Sequence, residues 1–312
     1  MMVAGRGIDG GRTLGEPAHF LGRAEMGILM TATQPSRRRI ARLAGVLAAL
    51  VLAGATAVPA SADRFDSYAA LGDSYAAGQG AGPYLDACFR SDHGYPVLLD
   101  GARKISLTDN AACTGATTAS VRASQIPSLN KKVDLVTVTA GGNDLDSIGA
   151  LVICAQDAGQ PCADALAQRA AVLQTALATP EASPFYQSLM AMLNDIKARS
   201  PRADIYVTGY PLLFQPGAGP AGDPVNGLTR QLNAVIANAA RQADGGRAKV
   251  TYVDVAAAFA GHGIGSAQPW IVGLPPVCTA SATCGASSAD IFHPTAEGYT
   301  KGYAASIRAA LD

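Results

Sequence analysis

The sequence predicts an α/β protein of three layers, with helices on both faces of a central parallel sheet of about five strands. Two observations support this fold class. Short apolar or β-branched segments recur along the chain, and segments with a helical apolar periodicity lie between them. Strands and helices that alternate in this way form parallel sheets, whose ligands bind beyond the carboxyl ends of the strands. We therefore expect a functional site at that edge of the sheet.

The predicted strands are short segments bounded by Gly, Asp or Ser. They cover residues 67–71, 104–107, 133–139, 204–208 and 250–255. The third segment, with the sequence VDLVTVT, is the clearest strand, and it leads directly into a Gly-Gly turn.

Helices are predicted where apolar residues recur at helical spacing. One begins after Ser183, an N-cap residue that is followed by proline, and others cover residues 228–239 and 299–311. Residues 211–224 and 256–288 are rich in Gly, Pro and Ser, and we expect them to be surface loops.

The first part of the chain predicts an export signal. Arginines at residues 37–42 precede an uncharged apolar run over residues 43–58. Ala60-Ser61-Ala62 then matches the small-x-small pattern of a signal peptidase site, so we expect cleavage after Ala62. The apolar run is shorter than the roughly 20 residues that span a bilayer, which favours a removable signal over a membrane anchor. The route would be Sec export or, given the arginine pair, twin-arginine export.

Residues 1–62 are thus predicted to be an N-terminal extension and signal peptide, and residues 63–312 a single domain. No internal repeat or long linker divides the second part, whose length is enough for one full core. The chain has 24 basic and 24 acidic residues and no basic stripe, so we expect no nucleic-acid partner. The predicted product is a secreted monomer.

Six cysteines follow the predicted cleavage site, and an even number in an exported chain predicts three disulfides. Pairing of nearest neighbours is the simplest of the many possible arrangements, because each bond would close a local loop. The predicted pairs are Cys88–Cys113, Cys154–Cys162 and Cys278–Cys284. The spacings Cys-x-x-Cys and His-x-x-x-His do not occur, so we expect neither a bound metal nor a cofactor.

Three polar motifs lie where the strand pattern places the carboxyl edge of the sheet. They are Gly72-Asp73-Ser74 after the first strand, Gly141-Gly142-Asn143-Asp144 after the third, and Asp290-Ile291-Phe292-His293 before the terminal helix. Taken singly, Ser74 suits a helix N-cap and Asn143 suits a turn. We interpret Asp73 and Asp144 as structural, each hydrogen-bonded within its own turn.

Together, the three motifs supply the groups that a serine hydrolase needs. A serine that attacks an ester needs a base to take its proton and a group that orients this base. Asp290 and His293 lie three residues apart on one turn, and of the histidines after Ala62 only His293 has a carboxylate at this spacing. The nucleophile elbow Gly-x-Ser-x-Gly of α/β-hydrolases does not surround Ser74.

In this order the motifs resemble those of the SGNH hydrolase superfamily, the GDSL-type lipases and esterases, over about residues 65–312. The resemblance implies the flavodoxin-like SGNH-hydrolase fold, with Ser74 as nucleophile, His293 as base and Asp290 as the acid of a triad. It also implies an oxyanion hole formed by the N–H groups of Ser74 and Gly115 and the side-chain amide of Asn143.

The cysteines and the signal peptide resemble those of secreted actinobacterial lipases and phospholipases. Some members of that branch lack the triad Asp and orient the His with a main-chain carbonyl, whereas Asp290 predicts a full triad here. The expected function is hydrolysis of carboxylic esters, with lipid acyl esters favoured and transient contact with a lipid interface. A carbohydrate deacetylase of the same fold and a non-catalytic secreted binding module are the alternatives.

Overall fold

The computed structural model describes residues 65–274 and 288–312. Within them, five strands form one parallel sheet in the order β2-β1-β3-β4-β5. The strands are β1 (Phe65–Gly72), β2 (Ile105–Asn110), β3 (Leu135–Thr139), β4 (Asp204–Thr208) and β5 (Val250–Val253). The predicted fold class is confirmed, and each predicted strand differs from the observed one by at most a few residues at its ends.

Helices cover the sheet on both sides. All five residues of β3 are buried, although successive side chains of a strand point to opposite faces, so both faces are covered at the centre. The α-helices of the described segments are α1 (Ser74–Ala77), α2 (Tyr95–Leu99), α3 (Thr118–Ser120), α4 (Ser147–Gln156), α5 (Gln160–Ala178), α6 (Pro184–Arg199), α7 (Gly219–Ala243) and α8 (Ala305–Ala310). Wider π-helical turns occupy Val121–Gln125 and Gly298–Ala304.

Two of the predicted helices can be compared closely with the structure. Ser183 caps α6 as expected, since its hydroxyl accepts a hydrogen bond from the Tyr186 N–H at 3.3 Å. The predicted loop over residues 211–224 is wrong in its second half, because α7 already begins at Gly219. Pro220 lies in the first turn, where helix N–H groups have no partner within the helix, so proline is tolerated there. Pro224 does remove one helical hydrogen bond, but the burial of Val225 and Leu228 just beyond it holds the helix on the core.

The strand order places a crevice beside the carboxyl end of β1. β2 pairs with one side of β1 and β3 pairs with the other side, so the connections to these two strands diverge at this point. Ligands of open parallel sheets bind in such a crevice. Pairing of β1 with β3 ends at Gly72, the first residue of one predicted motif, and at Thr139, two residues before another.

A cluster of buried tyrosines packs near this edge of the sheet. Tyr95 and Tyr303 stack with ring centroids 5.4 Å apart, and Tyr299 packs against Tyr303 at 5.7 Å. Buried hydroxyls need partners, and here the Tyr299 hydroxyl donates to the Gln79 carbonyl and that of Tyr303 to the Gly209 carbonyl. The segment after His293 is thereby joined to the loops that follow β1 and β4.

Two disulfides join described residues, Cys88–Cys113 and Cys154–Cys162, and both are among the predicted pairs. The predicted pair Cys278–Cys284 and the predicted signal peptide with its cleavage site at Ala62 lie outside the described residues. Among the helices of residues 65–274 and 288–312, none has the length and apolar character that a membrane span requires.

Candidate active site

Ser74 begins α1 immediately after β1, on a sharp turn. Gly72 has a φ of +127°, and a Cβ atom there would lie 2.1 Å from the Thr139 carbonyl oxygen of the neighbouring strand. Only glycine fits this close approach. Asp73 then caps α1 by accepting a hydrogen bond from the Tyr75 N–H at 2.9 Å. The turn thus holds Ser74 at the carboxyl edge of the sheet.

The structure brings Ser74 and His293 together across 219 residues of sequence. The Ser74 Oγ lies 2.8 Å from the His293 Nε2, which is a hydrogen-bond distance. The other ring nitrogen, Nδ1, lies 3.1 Å from the Ile291 carbonyl oxygen. Since a carbonyl only accepts, Nδ1 carries a proton, and in the neutral ring Nε2 has a lone pair to receive the serine proton.

The loop that carries His293 is fixed at several points. Val272 pairs with it through two backbone hydrogen bonds of 2.8 and 2.9 Å, and the Tyr75 hydroxyl donates to the Phe292 carbonyl at 2.6 Å. Phe292 has a φ of +68°, a left-handed conformation that costs energy for a residue other than glycine. The surrounding contacts hold the residue in this conformation, and His293 follows it into the site.

The contact that orients His293 differs from the expected one. Asp290 was predicted to hold the ring, whereas the hydrogen bond of Nδ1 goes to the main-chain oxygen of Ile291. The Asp290 carboxylate accepts a hydrogen bond from the Tyr84 hydroxyl. The His293 N–H donates to the Asp290 carbonyl at 3.0 Å, and this tight turn places the Ile291 carbonyl beside the ring. Asp290 is buried, and its charge raises the pKa of His293.

Burial dominates the electrostatics of His293. It lowers the pKa of the ring to about 4, although the Ile291 carbonyl and the Asp290 charge both raise it. The imidazole is therefore neutral at pH 7, which is the form that accepts a proton.

Asn143 and Gly115 border the same cavity as Ser74 and His293, which has a volume of about 510 Å³. The Asn143 amide donates one N–H to the Ala116 carbonyl at 3.0 Å, and an amide nitrogen carries two such hydrogens. Gly115 has a φ of +75°, a backbone conformation that glycine adopts readily, so the chain can turn sharply here beside the cavity. Four of the five predicted site residues thus line one cavity, and Asp290, which is buried, lies three residues before His293.

Gln79 links two segments of the site, and it is not among the residues predicted from the sequence. Its side chain accepts from the Thr114 hydroxyl at 2.6 Å and donates to the Ala289 carbonyl. It therefore connects the segment before Gly115 with the segment before Asp290. A glutamine five residues after Ser74 carries no signal in a single sequence, because its partners are distant in the chain.

The two acids interpreted as structural behave differently. Asp73 does bond within its own turn, and burial raises its pKa to about 7, against the hydrogen bonds from the Tyr210 hydroxyl and the Tyr75 N–H. For Asp144 the expectation is wrong, because its carboxylate binds the N–H and hydroxyl of Thr118 in α3. It ties the turn after β3 to a neighbouring helix rather than closing that turn.

A second, narrow apolar pocket opens beside Ser74 and Asn143. Residues of α4, α5 and α7 contribute to its wall, and eight of its lining residues are Leu, Ile or Val. These are Leu145, Ile148, Leu151, Leu166, Leu213, Val225, Leu228 and Leu232. Carboxylates and histidines are grouped nowhere in the described segments in a way that would hold a metal ion.

The Cys88–Cys113 disulfide lies close to Gly115. The Thr114 N–H donates to the Cys88 carbonyl at 3.1 Å, so the bond tethers the segment that carries Gly115. We expect mild reduction to lower esterase activity at temperatures where the chain stays folded, because one side of the cavity is loosened. Activity and far-UV circular dichroism, followed together during reduction, test this; loss of both in parallel would contradict it.

The sequence is similar to those of known lipases. Residues 70–301 match the model of the GDSL-like lipase/acylhydrolase family. A lipase from Streptomyces rimosus is 33% identical over 284 residues, which cover 85% of this chain and 97% of the relative.

Solved structures of Streptomyces enzymes have a similar fold. The extracellular lipase of Streptomyces rimosus superimposes with a TM-score of 0.65 at 30% identity, covering 78% of this chain and 99% of that chain. Phospholipase A1 from Streptomyces albidoflavus NA297 gives a TM-score of 0.66 at 29% identity with the same coverage of both chains. From its family match, its relatives and its fold, the chain belongs to the GDSL-like lipase/acylhydrolase family and is a carboxylic ester hydrolase.

Proposed function

We propose that the protein is a secreted hydrolase of lipid acyl esters that works through an acyl-enzyme intermediate on Ser74. The observation that carries the proposal is the 2.8 Å contact between Ser74 Oγ and His293 Nε2 at the meeting point of the two cavities. A nucleophile and its base need this distance, and the Ile291 carbonyl supplies the third, orienting contact.

In the first step His293 takes the Ser74 proton as the Oγ attacks the ester carbonyl carbon. The ring becomes charged in a buried environment that disfavours charge. The Ile291 carbonyl and the negative Asp290 stabilise the charged ring, so Asp290 supports the base through its charge. His293 then gives the proton to the leaving alcohol.

The tetrahedral oxyanion needs donors that are in place before it forms. The N–H groups of Ser74 and Gly115 and the free N–H of Asn143 would supply them, on the cavity side of the nucleophile. Water then attacks the acyl-enzyme with His293 again as base, and this step frees the acid and restores the Ser74 hydroxyl.

The apolar pocket supports an aliphatic acyl group as the part of the substrate held by the enzyme. Burial of each methylene in such a pocket contributes about 0.8 kcal/mol, so the pocket favours longer chains over acetate. The names of the two solved Streptomyces relatives, a lipase and a phospholipase A1, point in the same direction.

Export is supported by the two disulfides, because such bonds persist in oxidising compartments. The Streptomyces rimosus relative is described as extracellular. We expect the secreted form to begin after Ala62, which N-terminal analysis of the protein recovered from culture medium would show directly.

A labelling experiment and a substrate panel test the proposed function. A fluorophosphonate probe should modify the peptide that contains Ser74, and hydrolysis of p-nitrophenyl esters should become more efficient from acetate to medium-length acyl chains. An enzyme that is not labelled would contradict the mechanism, and one that cleaves only acetate would contradict the assignment to lipid acyl esters.

Asn143→Ala is expected to lower kcat by about 100- to 1,000-fold, because one oxyanion donor is lost. KM should change little, since the donor acts on charge that forms only in the transition state. Steady-state kinetics on p-nitrophenyl butyrate measure this, with Asn130→Ala, on an exposed turn, as the control. Equal kcat values for the two variants would remove Asn143 from the oxyanion hole.

A further inference from the structure

One buried hydroxyl bridges the two turns that form the site. The Tyr210 hydroxyl donates to the Asp73 Oδ2 at 2.6 Å and accepts from the Gly142 N–H at 3.0 Å. Asp73 belongs to the nucleophile turn (residues 72–75), and Gly142 belongs to the amide turn (residues 141–143). We propose that Tyr210 is a positioning residue, whose hydroxyl fixes the distance between Ser74 and the Asn143 amide. This inference rests on the proposed function.

Such a cross-link is needed because the sheet no longer holds these residues. Pairing of β1 with β3 ends at Gly72 and Thr139, and one further backbone bond runs from the Asp73 N–H to the Thr139 carbonyl. At the end of β1 and after β3 the chain turns away from the sheet, in each case through a glycine of positive φ, Gly72 or Gly141. The bridge through Tyr210 lies at this point, one residue before Ser74 and one before Asn143.

Tyr210 is itself held firmly. Asn233 of α7 accepts from its backbone N–H and donates to its carbonyl, both at 2.8 Å, as a neighbouring strand would. Its ring meets Tyr75 edge-on at 5.1 Å. A Cβ atom on Gly142 would lie 3.3 Å from the Tyr210 ring, so the amide turn packs directly on it. The hydroxyl is therefore presented from a fixed position.

A hydrogen bond can set a distance in a way that apolar packing does not, because it depends on length and angle, whereas the hydrophobic effect has no direction. Tyr210→Phe keeps the ring, its contact with Tyr75 and its place in the wall of the apolar pocket, and it removes only the bridge. A loss of geometry at the reacting atoms lowers turnover steeply even when binding is retained.

We expect Tyr210→Phe to lower kcat on p-nitrophenyl butyrate by about 10- to 100-fold, with KM within about threefold of the wild-type value. Tyr68→Phe is the matched control. It also removes a buried hydroxyl, one that hydrogen-bonds to the Thr137 hydroxyl at 2.7 Å, and both residues lie in the paired part of β1 and β3 rather than in either turn. Both variants should lose thermal stability, but only Tyr210→Phe should lose turnover.

A double-variant cycle with Asp73→Asn shows whether the effect passes through the bridge. If it does, the double variant should have about the same kcat as the slower of the two single variants. Independent effects would instead multiply the two losses of kcat, and this result would overturn the proposal. Tyr210→Phe with kcat within twofold of wild type, or the same kcat loss in Tyr68→Phe, would also overturn it. Wild-type protein that neither hydrolyses the ester nor reacts with a fluorophosphonate would instead refute the proposed function.

Discussion

Ser74→Ala is expected to lower kcat by about a million-fold and to abolish labelling by a fluorophosphonate. Removal of the nucleophile eliminates the covalent route, and only stabilisation of a direct attack by water is left. The fold should survive, because alanine fits the buried position at the start of α1 and the cap from Asp73 does not involve the Ser74 side chain.

The measurement needs a stability control and a matched serine. Thermal unfolding of Ser74→Ala should stay close to that of the wild type. Ser67 lies near the start of β1, whereas Ser74 follows the end of that strand, and Ser67→Ala should keep full activity. A Ser74→Ala enzyme that still turns over an ester at a rate near wild type would end the assignment of the nucleophile.

His293→Ala is expected to reduce kcat to nearly the same extent, because serine and base act as one unit. Their losses are therefore not additive, and Ser74→Ala combined with His293→Ala should be no slower than either variant alone. The single His293→Ala variant differs in one respect, since its serine is still present and should react slowly with a fluorophosphonate.

His93→Ala serves as the control, because His93 is exposed and contacts the Ala81 carbonyl away from the nucleophile. Kinetics and probe labelling are measured on the two single variants, the double variant and the control. A multiplicative loss in the double variant would show that His293 does not act through Ser74.

The sequence was sufficient for the fold class because strand and helix periodicities are local properties of the chain. The positions of Ser74, Asn143 and His293 could likewise be predicted, since each belongs to a recognisable motif. Their meeting at one edge follows from the rule that ligands of parallel sheets bind at the carboxyl ends. The start of α7 was missed because Gly and Pro near Gly219 are typical both of loops and of a first helical turn.

Other features of the site could not be predicted for a physical reason. The Ile291 carbonyl is a backbone atom, and every residue has one, so no residue type marks it. The partners of Gln79 and the bridge through Tyr210 depend on contacts between loops after different strands. Asp290 illustrates the same limit, because its spacing from His293 is favourable, yet its carboxylate receives a hydrogen bond from Tyr84 on a distant loop.

Ser74 and His293, the proposed nucleophile and base, come from opposite ends of the described domain, 219 residues apart. The segment that carries His293 is anchored through Val272, Tyr299 and Tyr303 rather than by pairing in the central sheet. A partly unfolded species that has released only this segment would retain nearly all of its ellipticity and no turnover. Hydrolysis by this protein is consequently a stricter measure of complete folding than any spectroscopic average over its secondary structure.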